Sequence, residues 1–242
     1  MGEAFLLNAF QDGFSPIAAT GGTVSDINID GTSYRVHAFL QGTSSFQVSS
    51  LGNTNGEINV LVVAGGGGGA TTGSDTAGGG AGGLIFRHDL NVSTQNYGIT
   101  VGNGGASNSN GQNSTAFGLT AIGGGHGSTS QTNGVAGGSG GGAGRNRGTG
   151  GAGTQPNQSG NSGAYGFGNR GGTNTGHSGT EGMGGGGAGQ NGIDAINITA
   201  SVKTGGDGLF QVSNSLRPIY DQTYSFSEIF GTQYGEVIGG QA

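Results

Sequence analysis

The chain has 242 residues, of which 62 are glycine, and it carries a formal net charge of −6 with only 7 lysines and arginines. So few cations cannot form the basic surface that binds a phosphate backbone, and we expect no nucleic-acid partner. The absence of cysteine excludes disulfides and thiolate metal sites, and without a secretory signal pattern or a long apolar stretch we expect no membrane insertion.

The first predicted elements are strands near the beginning of the chain. Residues 1–22 form an apolar and aromatic leader, which is either a strand of this chain's own sheet or a peptide that docks on another subunit. The segments 24–29 and 34–40 flank Asp30-Gly31, a dipeptide typical of tight hairpin turns. Residues 45–49 add a third predicted strand.

The strongest strand signal is 57–64, whose continuous apolar run predicts a central strand buried on both faces. It leads directly into a glycine run, and later predicted strands also alternate with glycine segments, at 84–86, 97–101, 116–122, 193–202 and 209–212. We therefore predict an all-β chain with little or no α-helix, in which glycine segments are insertions between strands. One domain is predicted over 23–215, followed by an aromatic-rich segment over 216–242.

The longest insertion, 123–192, contains 30 glycines among its 70 residues. Few apolar side chains are present to offset the roughly 1–2 kcal/mol that ordering each residue costs. The block is therefore either a flexible linker or a set of segments held by backbone hydrogen bonds. A three-residue glycine spacing, the period of the polyproline II helix, favours the second alternative. It occurs at Gly138, Gly141, Gly144, Gly150 and Gly153, at Gly160, Gly163 and Gly166, and at Gly176, Gly179, Gly182 and Gly185.

Such a block needs to fold back on itself to be compact. Laid out straight at about 3.1 Å per residue, it would exceed roughly 200 Å, so we expect rods of about 8–12 residues side by side. Turn-forming residues predict reversals at 154–157, 169–172 and 174–176.

One candidate binding surface lies inside this block. Arg145, Arg147 and Arg170 are its arginines, and Tyr165 and Phe167 are its two aromatic residues. Arginine and an aromatic ring with asparagine nearby would suit a sugar-facing patch exposed at the ends of the rods. The alternative is that these arginines only keep the glycine block soluble.

No pattern of catalytic or metal-binding residues is apparent, so we expect no enzyme activity, no cofactor and no metal. The four histidines, His37, His88, His126 and His177, lack the spacing of a zinc site. Asp26, Asn28 and Asp30 alternate along one predicted strand and could offer oxygens to Ca²⁺. The competing interpretation is a solvated strand face with an Asx turn before Gly31.

An ordered series of strand–glycine junctions runs along residues 20–215. It comprises 21–39, 46–48, 60–69, 78–84, 99–105 and 114–118. This series resembles the glycine-rich domain family of bacteriophage tail and other virion proteins. The resemblance implies a jelly-roll-like β-sandwich with an inserted polyglycine II bundle.

The same resemblance implies a function in the virion. The expected role is a tail fibre or spike-type subunit that contributes to host attachment by non-catalytic binding of a surface glycan or outer-membrane receptor. The alternative is a purely structural decoration of head, neck or tail. We expect other virion proteins as partners, through 1–22 or 216–242, and a homo-oligomer with a trimer as the expectation for fibres. A depolymerase and an ice-binding protein are two further alternatives.

Overall fold

The structure of the protein is a computed structural model that describes residues 3–10, 15–29, 31–71, 76–146, 148–156, 168–175, 182–195, 205–206, 211–212 and 224–225. Within these ranges the protein is all-β and contains no helix. The strands are β1 Glu3–Phe10, β2 Ala18–Thr20, β3 Thr23–Ile29, β4 Thr32–Phe39, β5 Gly42–Ser50, β6 Glu57–Val63, β7 Leu84–Asn91, β8 Asn96–Val101, β9 Ser114–Ala116, β10 Leu119–Ala121, β11 Gln211–Val212 and β12 Tyr224–Ser225. The prediction of an all-β chain is thus confirmed for this part.

Two five-stranded antiparallel sheets organise the strands. Sheet one has the order β3-β4-β1-β6-β7, and sheet two has the order β10-β9-β8-β5-β2. The first strand, β1, lies in the middle of sheet one and pairs with β4 on one side and β6 on the other. Of the two alternatives for the leader, the structure therefore shows the strand of the chain's own sheet.

The predicted β3–β4 hairpin is present, and its turn has the expected chemistry. Ile29 pairs with Thr32, and Gly31 in the turn has a positive φ of 83°. The backbone N–H of Gly31 donates to Asn28 Oδ1 at 3.0 Å. β6 also matches its prediction, because Ile58, Val60, Leu61 and Val62 are all buried.

The predicted single strand over 116–122 is wrong. The chain instead makes a tight hairpin, in which β9 pairs with β10 and Leu119 lies opposite Ala116. The two turn residues, Phe117 and Gly118, both have positive φ, at 52° and 77°. This backbone conformation matches the right-handed twist of paired strands, and asparagine followed by glycine is its usual sequence. A phenylalanine in the first position concealed the turn.

The predicted strands near the C-terminus are described only in part. Of the predicted strand 193–202, residues 193–195 are described, and Ala195 makes an isolated parallel bridge to Asn174. Residues 196–202 lie outside the described residues. Within 209–212, β11 pairs with β12, which belongs to the aromatic-rich segment 216–242.

One apolar core joins the two sheets. It contains Val60, Val62 and Ile85 from sheet one, together with Phe46 and Ile99 from sheet two. The rings of His37 in β4 and Phe46 in β5 meet edge to face, with centroids 5.1 Å apart. Phe46 is therefore a direct contact between the sheets.

Burial of His37 makes the stability of this core depend on pH. The side chain is 4% exposed and its Nδ1 lies 2.8 Å from the carbonyl oxygen of Gly21. Burial lowers the pKa of His37 below its usual 6.5, nearby Arg35 lowers it further, and the hydrogen bond to Gly21 opposes them. As the pH falls, His37 is therefore protonated in the unfolded chain before it is protonated in the folded protein. The contribution of neutral His37 to stability is complete above pH 6.5 and is lost as the pH falls below it.

We expect the free energy of unfolding to fall between about pH 7 and pH 5, and His37→Gln to remove that part of the pH dependence. Urea unfolding of both proteins across this range measures it. Parallel pH profiles for the two proteins would contradict the prediction, because the other histidines are the same in both.

In the described part of the glycine segments there is no regular strand, yet the backbone hydrogen bonds follow a strict spacing. Every third residue of the segment 64–70 donates to the antiparallel segment 77–83: Ala64 to Gly83, Gly67 to Gly80 and Ala70 to Ala77. The residues one position later, Gly65 and Gly68, donate to a second neighbour, at Gln112 and Ser109. Gly124 and Gly127 of a third neighbour donate to the carbonyls of Gly65 and Gly68. One segment thus bonds sideways to several others.

The same spacing holds inside the long block. Gly138, Gly141 and Gly144 donate to Gly123, Val135 and Thr132, so the three-residue glycine spacing coincides with the spacing of the hydrogen bonds. All residues from 137 to 144 are buried, although none has a side chain larger than serine. Backbone hydrogen bonds and close backbone contact therefore hold this part, as the second alternative for the block predicted.

The predicted reversal at 169–172 is wrong. No turn is present there, and the N–H groups of Gly171 and Asn174 donate to the carbonyls of Gly151 and Gly148, so this stretch is hydrogen-bonded to a neighbouring segment at every third residue. The amide of Asn169 donates to the carbonyls of Gly187 and Ala188, at 2.9 and 3.0 Å, instead of closing a turn on its own backbone. In the described part of the block 123–192, turns lie instead at 130–131 and 145–146. The predicted reversals at 154–157 and 174–176 fall partly outside the described residues.

Candidate binding surface

Arg145 lies where the glycine segments reverse direction. Two turns stand side by side there, because the backbone N–H of Gln131 donates to the carbonyl of Arg145 at 2.6 Å. Gln131 and Asn146 both have positive φ, at 61° and 59°. Arg145 is half-buried, and Gln131, Thr132 and Asn133 are exposed. The described residues at this end present uncharged polar side chains beside Arg145.

Arg170 has different surroundings. Its guanidinium makes two hydrogen bonds of 2.6 Å to the two carboxylate oxygens of Asp194 and donates to the carbonyl of Gly171 at 3.0 Å. Asp194 also accepts from the backbone N–H of Thr173 at 2.8 Å. The hydrogen bonds from Arg170 hold the pKa of Asp194 below its usual 3.8. Arg170 therefore ties two glycine segments together.

We expect Asp194→Asn to destabilise the protein by about 1–2 kcal/mol at neutral pH, because it removes a two-pronged ion pair that is partly shielded from water. The matched control is Asp26→Asn in the pair between Asp26 and Arg35, where both side chains are more exposed, at 52% and 43% against 23% and 41% for Asp194 and Arg170. Its expected cost is below about 1 kcal/mol.

Urea unfolding at several pH values measures both effects. The advantage of the native Asp194 is present above the usual carboxylate pKa of 3.8 and disappears as the pH falls through its lower folded-state pKa. Equal losses of stability for the two variants at neutral pH would show that the pair between Arg170 and Asp194 contributes no more than an exposed surface ion pair.

The other residues of the predicted patch, Arg147, Tyr165 and Phe167, lie outside the described residues. The two described arginines contact different segments, since Arg145 adjoins the turn at Gln131 whereas Arg170 is bound to Asp194. The patch as a whole stays a prediction.

The alternating polar residues of β3 have protein partners. Asp26 accepts two hydrogen bonds from Arg35, at 2.8 and 2.9 Å, and Asn28 caps the β3–β4 turn. Asp30 falls outside the described residues. Among the residues that the structure describes, no group of three histidine, aspartate or glutamate side chains is placed to hold a metal ion.

A groove that the sequence did not indicate lies beside the β9–β10 turn. The half-buried rings of Tyr97 and Phe117 line it, and their centroids are 4.8 Å apart at an angle of 45°. Phe117 also packs on Phe46, with centroids 5.9 Å apart. The groove has a volume of about 360 Å³ and is lined by Leu90, Asn91, Asn96, Tyr97, Gly98, Phe117 and Gly118, none of which is charged.

Sequence reasoning missed this groove because its residues come from separate strands. Tyr97 and Gly98 belong to β8, whereas Phe117 and Gly118 form the unexpected turn. The available signal was Phe117-Gly118 itself, because an interruption by glycine within an alternating segment also allows a two-residue turn.

A family model described as a glycine-rich domain matches residues 41–236 of the chain. No curated protein and no solved structure matches it. In the described part, no helix is long and apolar enough to cross a membrane.

Proposed function

Because the chain belongs to the glycine-rich domain family, we propose that it is a structural protein of a tailed bacteriophage virion. In this proposal it is a tail fibre or spike-type subunit that contributes to host attachment by binding without chemistry. The observation that carries the proposal is the lateral hydrogen bonding of the glycine segments at every third residue. Such a lattice makes a stiff body from chain that has little apolar side chain to bury, as an extended attachment structure requires.

The fold that accompanies this proposal is a jelly-roll-like β-sandwich with a polyglycine II bundle. The shared core between sheet one and sheet two supports the sandwich, because side chains of two stacked sheets fill one apolar layer. Hydrogen bonds at every third residue in several lateral directions support polyglycine II, whose three residues per turn leave every N–H and C=O free to bond sideways. A crystal structure with φ near −75° and ψ near +145° along 137–144 is the expected result.

The composition of the exposed surface supports binding of a neutral receptor. Only 8% of the residues of the chain are charged, and the turn at Gln131 exposes threonine and asparagine. Several copies would raise the apparent affinity of a weak single site. We therefore propose a homo-oligomer, and a trimer is the first oligomeric state to test. Contacts with other virion proteins are assigned to 216–242 before 1–22, because residues 3–10 already pair on both sides within sheet one.

Immunogold electron microscopy of intact virions tests this proposal. Antibody against the purified chain is applied to a phage whose genome encodes it, and labelling of the distal fibres or spikes is the expected result. Label confined to head, neck or tail tube would favour the alternative, a decoration protein without receptor binding. Absence of label from dissociated and intact particles alike would overturn the assignment to the virion.

A further inference from the structure

We propose that the groove at Tyr97 and Phe117 is a binding site for one or two units of a neutral saccharide. This inference rests on the proposed attachment function, which it deepens by naming a site and a ligand class. Three independent features of the groove carry it: a glycine without a structural reason, a strained phenylalanine, and a lining without charge.

Gly98 is the first feature. It lies in the interior of β8, opposite Ser45 of β5, where glycine weakens a strand. Its φ is not in the left-handed region, and a Cβ added to it would meet no atom within 4 Å. Neither backbone conformation nor packing inside the protein therefore requires glycine. The β5–β8 register also runs through Gly98 without a bulge. Among the usual reasons for glycine inside a strand, close approach of a ligand from outside fits this position.

Other glycines of the chain do have a structural reason. At Gly65, Gly67 and Gly68 an added Cβ would overlap the backbone of a neighbouring segment, so the packing demands glycine there. Gly118 also borders the groove and has open space around it, but its φ of 77° explains its identity. Among the glycines that line the groove, Gly98 alone has neither explanation.

Phe117 is the second feature. Its φ of 52° places a bulky side chain in a backbone region that glycine and asparagine normally occupy. Strain of this kind persists only where the surroundings impose it, and it concentrates at functional sites. Here the strained turn presents the Phe117 ring to the groove, next to the ring of Tyr97. Ile99 pairs with Ala116 in the antiparallel β8–β9 ladder. Gly98 and Phe117 are the residues next to this pair on the same side, so they lie beside each other.

The lining is the third feature, and it selects the ligand class. Two adjacent aromatic rings offer apolar faces, and Asn91 and Asn96, which are exposed and line the groove, offer both donors and acceptors. The Tyr97 hydroxyl is fixed, because it accepts the backbone N–H of Ser93 at 2.7 Å. A small site with apolar rings, neutral amides and no charge suits a sugar, which has apolar C–H faces and hydroxyls at its edges. It does not suit a phosphate or a carboxylate.

Saturation-transfer NMR of the full chain tests the site. The probes are the methyl glycosides of glucose, galactose, mannose and N-acetylglucosamine at millimolar concentration. We expect at least one of them to receive magnetisation from the wild-type protein, and Gly98→Val to weaken its binding at least tenfold by filling the groove. Valine favours strands and has open space at this position, so the melting temperature of the Gly98→Val variant should equal or exceed that of the wild type.

Asn96→Ala is expected to weaken binding of the same sugar, whereas Asn103→Ala, an exposed asparagine outside the groove lining, leaves it unchanged. Absence of saturation transfer to all four glycosides would overturn the proposal, and so would equal binding by wild type and a folded Gly98→Val. Transfer to hexaproline and not to the glycosides would assign the aromatic rings of the groove to a peptide ligand and reject the sugar.

The proposed saccharide site and the proposed attachment function can be rejected independently of each other. Purified chain that blocks phage adsorption equally well with and without Gly98→Val would retain the attachment function and reject this groove. Sugar binding that Gly98→Val abolishes, in a protein that does not block adsorption, would retain the groove and reject the attachment function.

Discussion

Gly67→Ala is expected to destabilise the protein by about 3 kcal/mol, whereas Gly66→Ala at the next position is expected to be close to neutral. An added Cβ at Gly67 would overlap the carbonyl group of Gly125 in the adjacent segment. That carbonyl accepts a hydrogen bond from Gly80 at 2.8 Å, so it cannot move without breaking a lateral bond. At Gly66 the nearest atom, the Gly80 carbonyl oxygen, would be 3.6 Å from the new Cβ, which is ordinary van der Waals contact.

Chemical denaturation of the two variants and the wild type measures this difference. Neither glycine has a φ in the left-handed region, so backbone conformation does not distinguish them and the pair isolates the effect of close approach. For a chain of this size, 3 kcal/mol corresponds to a fall of roughly 6–12 °C in melting temperature. Similar stabilities for the two variants would show that the segments are farther apart than the structure has them.

Phe46→Ala is expected to cost about 4 kcal/mol, the loss typical of truncating a fully buried phenylalanine. The ring is 2% exposed and touches His37 of sheet one as well as Phe117 of the β9–β10 turn. Its removal would leave a cavity between the two sheets and would also withdraw support from the strained turn. Phe46→Leu, which fills most of the space, is expected to lose less than half as much.

Urea unfolding followed by tyrosine fluorescence measures both variants, because the chain has 6 tyrosines and no tryptophan. A cooperative transition shifted to lower urea is the expected signature of a core shared by the two sheets. A loss below about 1 kcal/mol for Phe46→Ala would mean that the two sheets do not depend on this contact.

Local sequence pattern was sufficient for several strands and for the principle of the glycine segments. β6 could be predicted because its apolar run fits burial on both faces, and the β3–β4 hairpin because Asp30-Gly31 is a turn dipeptide. The three-residue glycine spacing could be predicted to reflect lateral bonding because glycine permits close approach. These are local properties of short segments.

Partners distant in sequence could not be predicted from local patterns. β1 pairs with β4 and β6, and nothing within 1–22 indicates which strands it joins. Asn169 begins a sequence that is typical of a turn, but its side-chain amide donates to the carbonyls of Gly187 and Ala188 in another segment. Once such a partner is available, lateral bonding competes successfully with a local turn.

The candidate binding surfaces show the same limit. The arginines of the glycine block could be identified by type, yet only the structure shows that Arg170 is held by Asp194. The groove at Tyr97 and Phe117 depends on a turn whose first residue departs from the usual sequence of that turn. A rule-breaking residue conceals an element from prediction, and in the structure it marks a position that merits a functional test.

The most direct test of the attachment function is an adsorption assay with purified chain. Host cells are incubated with the protein, washed, and challenged with a phage whose genome encodes it; free phage is then counted over time. We expect a dose-dependent fall in the adsorption rate, with no effect on an unrelated phage that uses a different receptor. Normal adsorption at saturating concentrations of a folded protein would contradict a receptor-binding role and leave the chain as a structural component of the virion.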